Sequence, residues 1–288
     1  MVLAALCSTI MNVVIRRAAE ELHPFEVTFF RCLFSLIIMV PWIARAGFGA
    51  LRTSKAWFYT LRAGVSLVSM LAWFYGITLV PLATATALNF TAPLFATAGA
   101  ALILHEVVRL RRWAAVAIGF AGVLVILRPG MTMLDPSLLL ILLSAATGGM
   151  SAVTVKFLAR SEPAIAIVSY MVIYLTPLSL LPALLVWRWP SLESLAWLAA
   201  LGALGTVAHV AVARAYSIAD ASACAPFEFL RMPFVAILAY LAFGEVTDLW
   251  TWIGAAVIGG SSIYVAHREA QLARRGAGLT SRRPAASE

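Results

Sequence analysis

Apolar segments of about twenty residues follow one another along almost the whole chain, with short polar joints between them. A helix needs about twenty apolar residues to cross the roughly 30 Å hydrocarbon layer of a bilayer. Hydrophobic residues make up 62% of the 288 residues and charged residues only 12%, whereas a soluble domain is about half apolar and a quarter charged. The pattern therefore predicts an all-α integral membrane protein.

The same pattern predicts ten transmembrane helices, and the loops between them leave no room for a soluble domain. The helices are expected at residues 2–18, 24–44, 56–79, 81–104, 111–127, 136–157, 163–187, 194–216, 220–243 and 249–267. The first is interpreted as a helix rather than a signal peptide, because two arginines stand where a small-residue cleavage site would lie. The stretch 268–288 is rich in Arg, Ala, Gly and Ser, which predicts a disordered basic tail.

The positions of Lys and Arg predict the orientation, because basic residues collect on the cytoplasmic side. With the N-terminus inside, fourteen of them fall on the cytoplasmic side and four, Arg16, Arg17, Arg128 and Arg188, fall outside. Both termini are therefore predicted to be cytoplasmic, in a multi-pass protein of a bacterial inner (plasma) membrane. This sorting explains the net charge of +8 without a nucleic-acid partner, and the basic tail is expected to meet anionic lipid of the bilayer.

Two segments repeat one pattern. The fourth reads PLATATALNFTAPLFATAGAALILHE and the ninth reads ADASACAPFEFLRMPFVAILAYLAFGE, each with small residues first, a central proline (Pro93 or Pro233) and a final glutamate (Glu106 or Glu245). Because five is odd, five spans used twice enter the membrane from opposite sides, which predicts two inverted five-helix repeats at 1–130 and 135–267. The alternative is that alanine-rich segments resemble one another by composition alone.

Several motifs are similar to those of one family. The HPFEVTFFR start of the second span, VPLATATALNFTAPLF in the fourth, the RRWAAVAIGFAGVLVILRPG run and ADASACAPFEFLRMPF in the ninth resemble the EamA-type members of the drug/metabolite transporter superfamily. The resemblance covers nearly the whole chain outside the tail. It implies transport of a small solute, and similar members carry amino acids, nucleoside-like metabolites, cofactors or toxic organic compounds.

Three ionisable residues are predicted to lie deep in the spans, where a charge is costly unless it faces a cavity or a partner. Arg231 is at the midpoint of the ninth span, Glu228 is one helical turn before it, and Arg31 is about two turns into the second span. Residues at i and i+3 share a helix face, so Glu228 and Arg231 can pair. They are candidates to bind the substrate, and the alternative is a buried structural link.

Pro93 and Pro233 are predicted to bend their helices, because proline lacks the N–H and clashes with the carbonyl four residues earlier. In the fourth span that carbonyl belongs to Asn89, so Asn89 and Thr91 would present polar groups at the place equivalent to Glu228 and Arg231. The alternative is a packing kink satisfied by neighbouring helices.

Other residues give weaker signals. Trp73 and Tyr75 could stack on a planar or cationic substrate, although most tryptophans of such proteins lie at the membrane interface. Arg62 is expected to snorkel, Glu106 and Glu245 to make capping and loop contacts, and His209 to pack with a hydrogen bond rather than relay protons. Small residues in the fifth and tenth spans predict close helix contacts, within the chain or at a homodimer surface.

The sequence favours a secondary transporter that works by alternating access, either coupled to protons or as an exchanger. It contains no GxxxxGK[ST] phosphate loop. If protons are coupled, Glu228 is the candidate to bind them. An enzyme is disfavoured because the four histidines are scattered without an HExxH motif, and a channel because no filter-like segment is visible. The cysteines lack metal-ligand spacing, so neither metal nor cofactor is expected.

Overall fold

A computed structural model of the chain describes residues 1–46, 56–103, 110–128, 135–158, 162, 164–218 and 227–280, and within these ranges the regular elements are all helices. They are α1 (Val2–Ala18), α2 (Pro24–Ala46), α3 (Ala56–Leu79), α4 (Leu82–Asn89), α5 (Ala92–Ile103), α6 (Leu110–Leu127), α7 (Pro136–Leu158), α8 (Ala164–Leu184), α9 (Leu192–Ile218), α10 (Arg231–Phe243) and α11 (Leu249–Thr280). The fourth predicted span is divided between α4 and α5.

Five segments of these helices are long and apolar enough to cross a membrane, judged by length and composition: Pro24–Pro41, Ala56–Leu79, Leu82–Leu102, Pro136–Val155 and Leu192–Val212. Four shorter apolar helical segments accompany them: Trp113–Leu127, Ser169–Leu184, Arg231–Phe243 and Leu249–Val265. The chain is thus built as a multi-pass membrane protein.

The last helix extends beyond the end expected at residue 267, because α11 continues to Thr280. Residues 268–280 were expected to be disordered from their Arg, Ala, Gly and Ser content. The continuation REAQLARR instead consists of Ala and residues that are not branched at Cβ, which favour a helix. A helix that is already formed also extends more easily than a new one begins.

The helices pack in three groups that do not follow their order in the sequence. Body A contains α1, α2, α9 and α10, and body B contains α3, α4, α5, α7 and α8. The third group is α6 with α11, whose contact is the most extensive between any two helices of the described ranges. Each group combines helices from both parts of the chain. The two bodies also contact each other extensively: α2 packs against α8 at least as closely as against α9 of its own body, α2 packs against α3, and α10 packs against α4.

Small residues permit the closest of these helix contacts. In α6 and α11 a β-carbon on Gly122 would lie 3.1 Å from the carbonyl oxygen of Gly254, and one on Gly119 would lie 2.6 Å from Oγ of Ser261. Ala115 and Ala255 in the same two helices are buried. The small residues of the fifth and tenth predicted spans therefore serve contacts within one chain.

We expect Gly149→Ala to lower the free energy of unfolding by about 1–3 kcal/mol, because a β-carbon there would meet backbone that cannot easily move. It would lie 2.5 Å from the carbonyl oxygen of Ala92 and 2.8 Å from the amide nitrogen of Ala96 in α5. Gly64→Ala is the matched control, since nothing lies within 4 Å of its β-carbon position. Denaturant unfolding in detergent measures both, and equal effects would show that this contact is not tight.

The described connections after α1, α3, α8 and α10 meet at one end of the bundle, which we call the outer face because the Lys and Arg distribution predicts it to lie outside. Glu26 is fully buried there and accepts hydrogen bonds from the backbone N–H of Arg188 at 2.6 Å and of His23 at 3.2 Å. Arg128, after α6, pairs with Asp248, just before α11. Carboxylates thus join the outer ends of helices from both parts of the chain.

Glu21 at the outer face accepts hydrogen bonds from the hydroxyl of Ser194 and from the N–H and hydroxyl of Ser191. These bonds hold the pKa of Glu21 below its ordinary value of 4.5, and the bond from the Ser194 hydroxyl has the largest effect. A carboxyl group whose pKa is lowered by folding stabilises the fold when the pH is above the ordinary pKa. This stabilisation is lost as the pH falls through the folded-state pKa.

We therefore expect Glu21→Gln to lower the unfolding temperature at neutral pH and to have a smaller effect in acid, where wild-type Glu21 is itself protonated. Thermal unfolding of both proteins across the acid range measures the difference. A difference that does not change with pH would contradict this role of the carboxylate.

Candidate substrate site at two helix breaks

The break in the fourth span lies between Asn89, which ends α4, and Ala92, which begins α5. Pro93 is the second residue of α5, where a missing N–H costs little because the first turn of a helix has no intrahelical acceptors. Thr91 is fully buried, and its hydroxyl donates to the carbonyl of Leu88 at 2.7 Å. The carbonyl of Phe90 accepts a hydrogen bond from the hydroxyl of Ser262 in α11 at 3.2 Å. The break is thus held by side chains of its own turn and of α11.

The ninth span shows a corresponding break. Residues 229–230 form a turn, and α10 begins at Arg231 with Pro233 as its third residue. The N–H of Met232 donates to the carbonyl of Phe229 at 3.0 Å. Both prolines therefore lie in the first turn of a half-helix rather than in the middle of a continuous one.

The two breaks meet through their aromatic residues. The rings of Phe90 and Phe229 lie 4.5 Å apart between centroids, at an interplanar angle of 57°. Phe229 also lies against Gly259 of α11, where a β-carbon would stand 2.6 Å from the ring, so a larger residue would push the ring away. Half-buried polar residues are close to this pair in the sequence: Asn89 precedes Phe90, and Glu228 and Arg231 lie on either side of the turn at Phe229.

Glu228 and Arg231 are both half-buried, and the carboxylate of Glu228 interacts electrostatically with the Arg231 guanidinium. The Nε atom of Arg231 is buried and has no hydrogen-bond partner within the described part of the chain. A buried donor without a partner costs about 1–3 kcal/mol. An anionic group bound beside Arg231 would recover that energy.

Arg31 lies where body A meets body B. Its Nη1 is 3.1 Å from Sδ of Met70 in α3, and a β-carbon on Gly205 in α9 would lie 3.2 Å from its Nη2. Its Nε is also buried and has no hydrogen-bond partner among the described residues. Arg31 therefore presents a second cation whose hydrogen bonding is incomplete.

The structure does not bring Trp73 and Tyr75 together. Residues two apart on a helix point in different directions, about 200° apart. Trp73 is buried in the core, and its Nε1 donates to Oδ1 of Asn12 at 3.3 Å. Tyr75 stacks on His23 at the outer face, with 5.8 Å between the ring centroids. Tyr75 thus links the outer ends of bodies B and A.

Arg62 was expected to snorkel toward the membrane surface. It is instead buried, with 6% of its surface exposed. Its Nη1 donates to the carbonyl of Ile167 at 2.9 Å, and its Nη2 lies 3.2 Å from Sδ of Met171, so α8 covers it. Tyr59 packs beside it, with its ring 4.5 Å from that of Tyr170. The spacing of Tyr59 and Arg62 at i and i+3 was the available signal.

Other candidates are placed as follows. Glu245 makes the capping and loop contacts described below, whereas Glu106 and Cys224 lie outside the described residues, as does the side chain of His209. Within the described ranges, no group of three His, Cys, Asp or Glu residues could hold a metal ion.

The described helices are apolar enough to cross a membrane, and they carry two proline-marked breaks and buried arginine Nε atoms without a hydrogen-bond partner among the described residues. The model of the EamA-like transporter family matches residues 1–128 and again 135–266. The chain therefore belongs to the EamA-like transporter family.

Similar proteins are named for small metabolites. The chain is 34% identical to an S-adenosylmethionine uptake transporter of Rickettsia prowazekii (strain Madrid E), over 93% of this chain and 91% of that protein. It is 31% identical to a riboflavin transporter of Vibrio cholerae serotype O1, over 96% and 94% of the two chains. A protein of known crystal structure, 19% identical, shares the fold with a TM-score of 0.60 over 95% of this chain and 97% of the other.

Proposed function

We propose that this protein takes up S-adenosylmethionine, or a closely similar nucleoside-bearing amino acid, by secondary transport with alternating access. The observation that carries the proposal is the 34% identity over 93% of the chain to a transporter named for that uptake. Three further relatives of the same name are 32–33% identical over 93–95% of this chain. The chain has no nucleotide-binding phosphate loop, so the energy would come from a solute gradient.

The charges at the helix breaks suit this solute. S-adenosylmethionine carries a carboxylate, an ammonium, a sulfonium and an adenine ring. Arg231 and Arg31 would bind the carboxylate, because each has a buried Nε that lacks a partner among the described residues. Glu228 would attract the ammonium or sulfonium, and the Phe90–Phe229 pair offers an apolar face to the adenine.

The proposal includes two inverted repeats, residues 1–130 and 135–267, and the helix contacts support them. If the two repeats are exchanged, each helix takes the place of its counterpart: α1 of α7, α2 of α8, α3 of α9, α4 and α5 of α10, and α6 of α11. Under this exchange the α1–α9 contact becomes α7–α3, the α2–α9 contact becomes α8–α3, and the α1–α10 contact becomes the contacts of α7 with α4 and α5. Each of these counterparts is present.

Bodies A and B would be the moving units of alternating access, each containing helices from both repeats. Arg31 and the two helix breaks lie between them, where a central site must be to face each side in turn. At the outer face the bodies are joined by Glu26, which accepts from Arg188, and by His23, which stacks on Tyr75. The described conformation would then be closed toward the outside, with both termini cytoplasmic in a bacterial inner membrane.

Thermal unfolding of the purified protein with added ligand tests the substrate, because a ligand that binds the folded state raises the unfolding temperature, and raises it further as its concentration exceeds its Kd. S-Adenosylmethionine is expected to raise the temperature in the wild type and to have less effect on Arg231→Ala. A shift with riboflavin and none with S-adenosylmethionine would refute the proposal.

Riboflavin uptake is the second candidate, favoured by relatives of that name that are 31–32% identical to this chain. Riboflavin is uncharged at neutral pH, so it would supply no anionic group to the buried arginines. In that case Arg231→Ala would change its binding little.

A further inference from the structure

A cavity of about 390 Å³ lies at the outer face, and none of its lining residues belongs to the helix breaks. It is lined by Arg16, Ala19, Glu20, Thr78, Phe243 and Glu245. Thr78 belongs to body B, and the other lining residues belong to body A or directly follow its helices. The cavity therefore lies where the two bodies meet on the side from which an imported solute would arrive.

Both signs of charge converge on this cavity. Arg16 pairs with Glu245, and Arg17 pairs with Glu20 at 2.9 Å. The guanidinium carbons of Arg16 and Arg17 lie 4.8 and 5.2 Å from the centroid of the Phe243 ring. The side chains of Arg16 and Glu245 are 22% and 19% exposed, so this ion pair can be reached by a solute.

Glu245 also connects the two bodies. While one of its oxygens pairs with Arg16, the other accepts a hydrogen bond from the backbone N–H of Leu82, the first residue of α4, at 2.9 Å. Gly244 positions this carboxylate, because it ends α10 with φ of +69°, a conformation that glycine adopts without strain. A single carboxylate thus ties body A to the start of α4 in body B.

We propose that this cavity is an outer docking site for the zwitterionic head group of an α-amino acid, and that binding there releases the outer face. The proposal rests on the proposed uptake of S-adenosylmethionine, which carries such a head group. Its carboxylate binds Arg16, while its ammonium binds Glu245 and Glu20.

This exchange replaces one set of ion pairs by another, so it requires a ligand with both charges. A ligand with only one charge would leave either Arg16 or the glutamates without a partner. When the ammonium of the ligand occupies Glu245, the hydrogen bond to Leu82 weakens and α4 is freed from body A. The outer ends of the bodies can then separate, and the solute can pass to the helix breaks.

Protection of a cysteine placed in the cavity tests the docking site. In a background with Cys7, Cys32 and Cys224 replaced by alanine, Thr78→Cys is labelled with a water-soluble thiol reagent in lipid nanodiscs, in which both faces meet solvent. L-Methionine, which has the head group without the nucleoside, is expected to slow labelling at least threefold. L-Methionine methyl ester, which lacks the carboxylate, is expected not to slow it.

Glu245→Gln should abolish protection by L-methionine. Asp248→Asn is the matched control, because Asp248 pairs with Arg128 at the same outer face but does not line the cavity, and it should preserve protection. Ala19→Cys provides a second labelling position if Thr78→Cys folds poorly. Equal protection by the amino acid and its ester, or protection that survives Glu245→Gln, would overturn the proposal.

Uptake of S-adenosylmethionine by the wild type, measured on the same preparation in liposomes, separates this inference from the proposed function. Uptake without protection of the cavity would refute the docking site alone. Absence of uptake would refute the proposed function, whatever the labelling shows.

Discussion

Replacing Arg231 with alanine is expected to lower the uptake of S-adenosylmethionine roughly 10- to 100-fold. A hydrogen bond to a charged group contributes about 1.5–3 kcal/mol, and each 1.4 kcal/mol corresponds to about a factor of ten in affinity. The side chain is half-buried and its Nε has no partner within the described residues. Its removal therefore takes a cation away from the substrate and breaks no existing hydrogen bond of the Nε atom. Initial rates of uptake into cells that express each variant measure the loss.

Arg128→Ala is the matched control, since it also removes an arginine. Arg128 pairs with Asp248 at the outer face and does not belong to either helix break. Glu228→Ala is expected to lower the rate of uptake as Arg231→Ala does, while both variants still reach the membrane. Near-normal uptake by Glu228→Ala and Arg231→Ala would show that the pair is a structural link.

Cross-linking body A to body B at the outer face is expected to stop uptake. His23 and Tyr75 stack there with ring centroids 5.8 Å apart, so cysteines at the two positions can be joined by a short bifunctional thiol reagent. If the outer ends must separate in each cycle, the bridge reduces uptake to background. A reductant that cleaves the reagent should restore it.

A disulfide within one body provides the control. The hydroxyls of Ser66 in α3 and Ser151 in α7 lie 2.7 Å apart inside body B, so oxidation of a Ser66→Cys/Ser151→Cys variant joins helices that move together. Uptake should persist in this variant. Loss of uptake in both cross-linked proteins, or in neither, would contradict bodies A and B as the moving units.

Helix positions were largely predictable from the sequence because the bilayer imposes a length on every span. The predicted segments 2–18 and 56–79 coincide with α1 and α3. The break before Pro93 followed from the chemistry of proline, which acts within a single turn. Local rules of this kind need no knowledge of distant residues.

Tertiary placement was less predictable, because it depends on which helices pack together. Tyr75 has the aromatic ring that a substrate site would use, yet its position on α3 turns it toward His23. Glu245 makes the capping and loop contacts expected of it, but its partners Arg16 and Leu82 are more than 160 residues away in the sequence. Such contacts arise from the interleaving of the two parts of the chain, which periodicity does not reveal.

Uptake of radiolabelled S-adenosylmethionine by the purified wild-type protein in liposomes without ATP tests the proposed transport most directly. A secondary transporter is expected to give uptake that saturates with concentration, that is competed by unlabelled S-adenosylmethionine, and that delivers the solute chemically unchanged. Flux that rises without saturation, conversion of the solute into a product, or no uptake above protein-free liposomes would contradict the proposed transport.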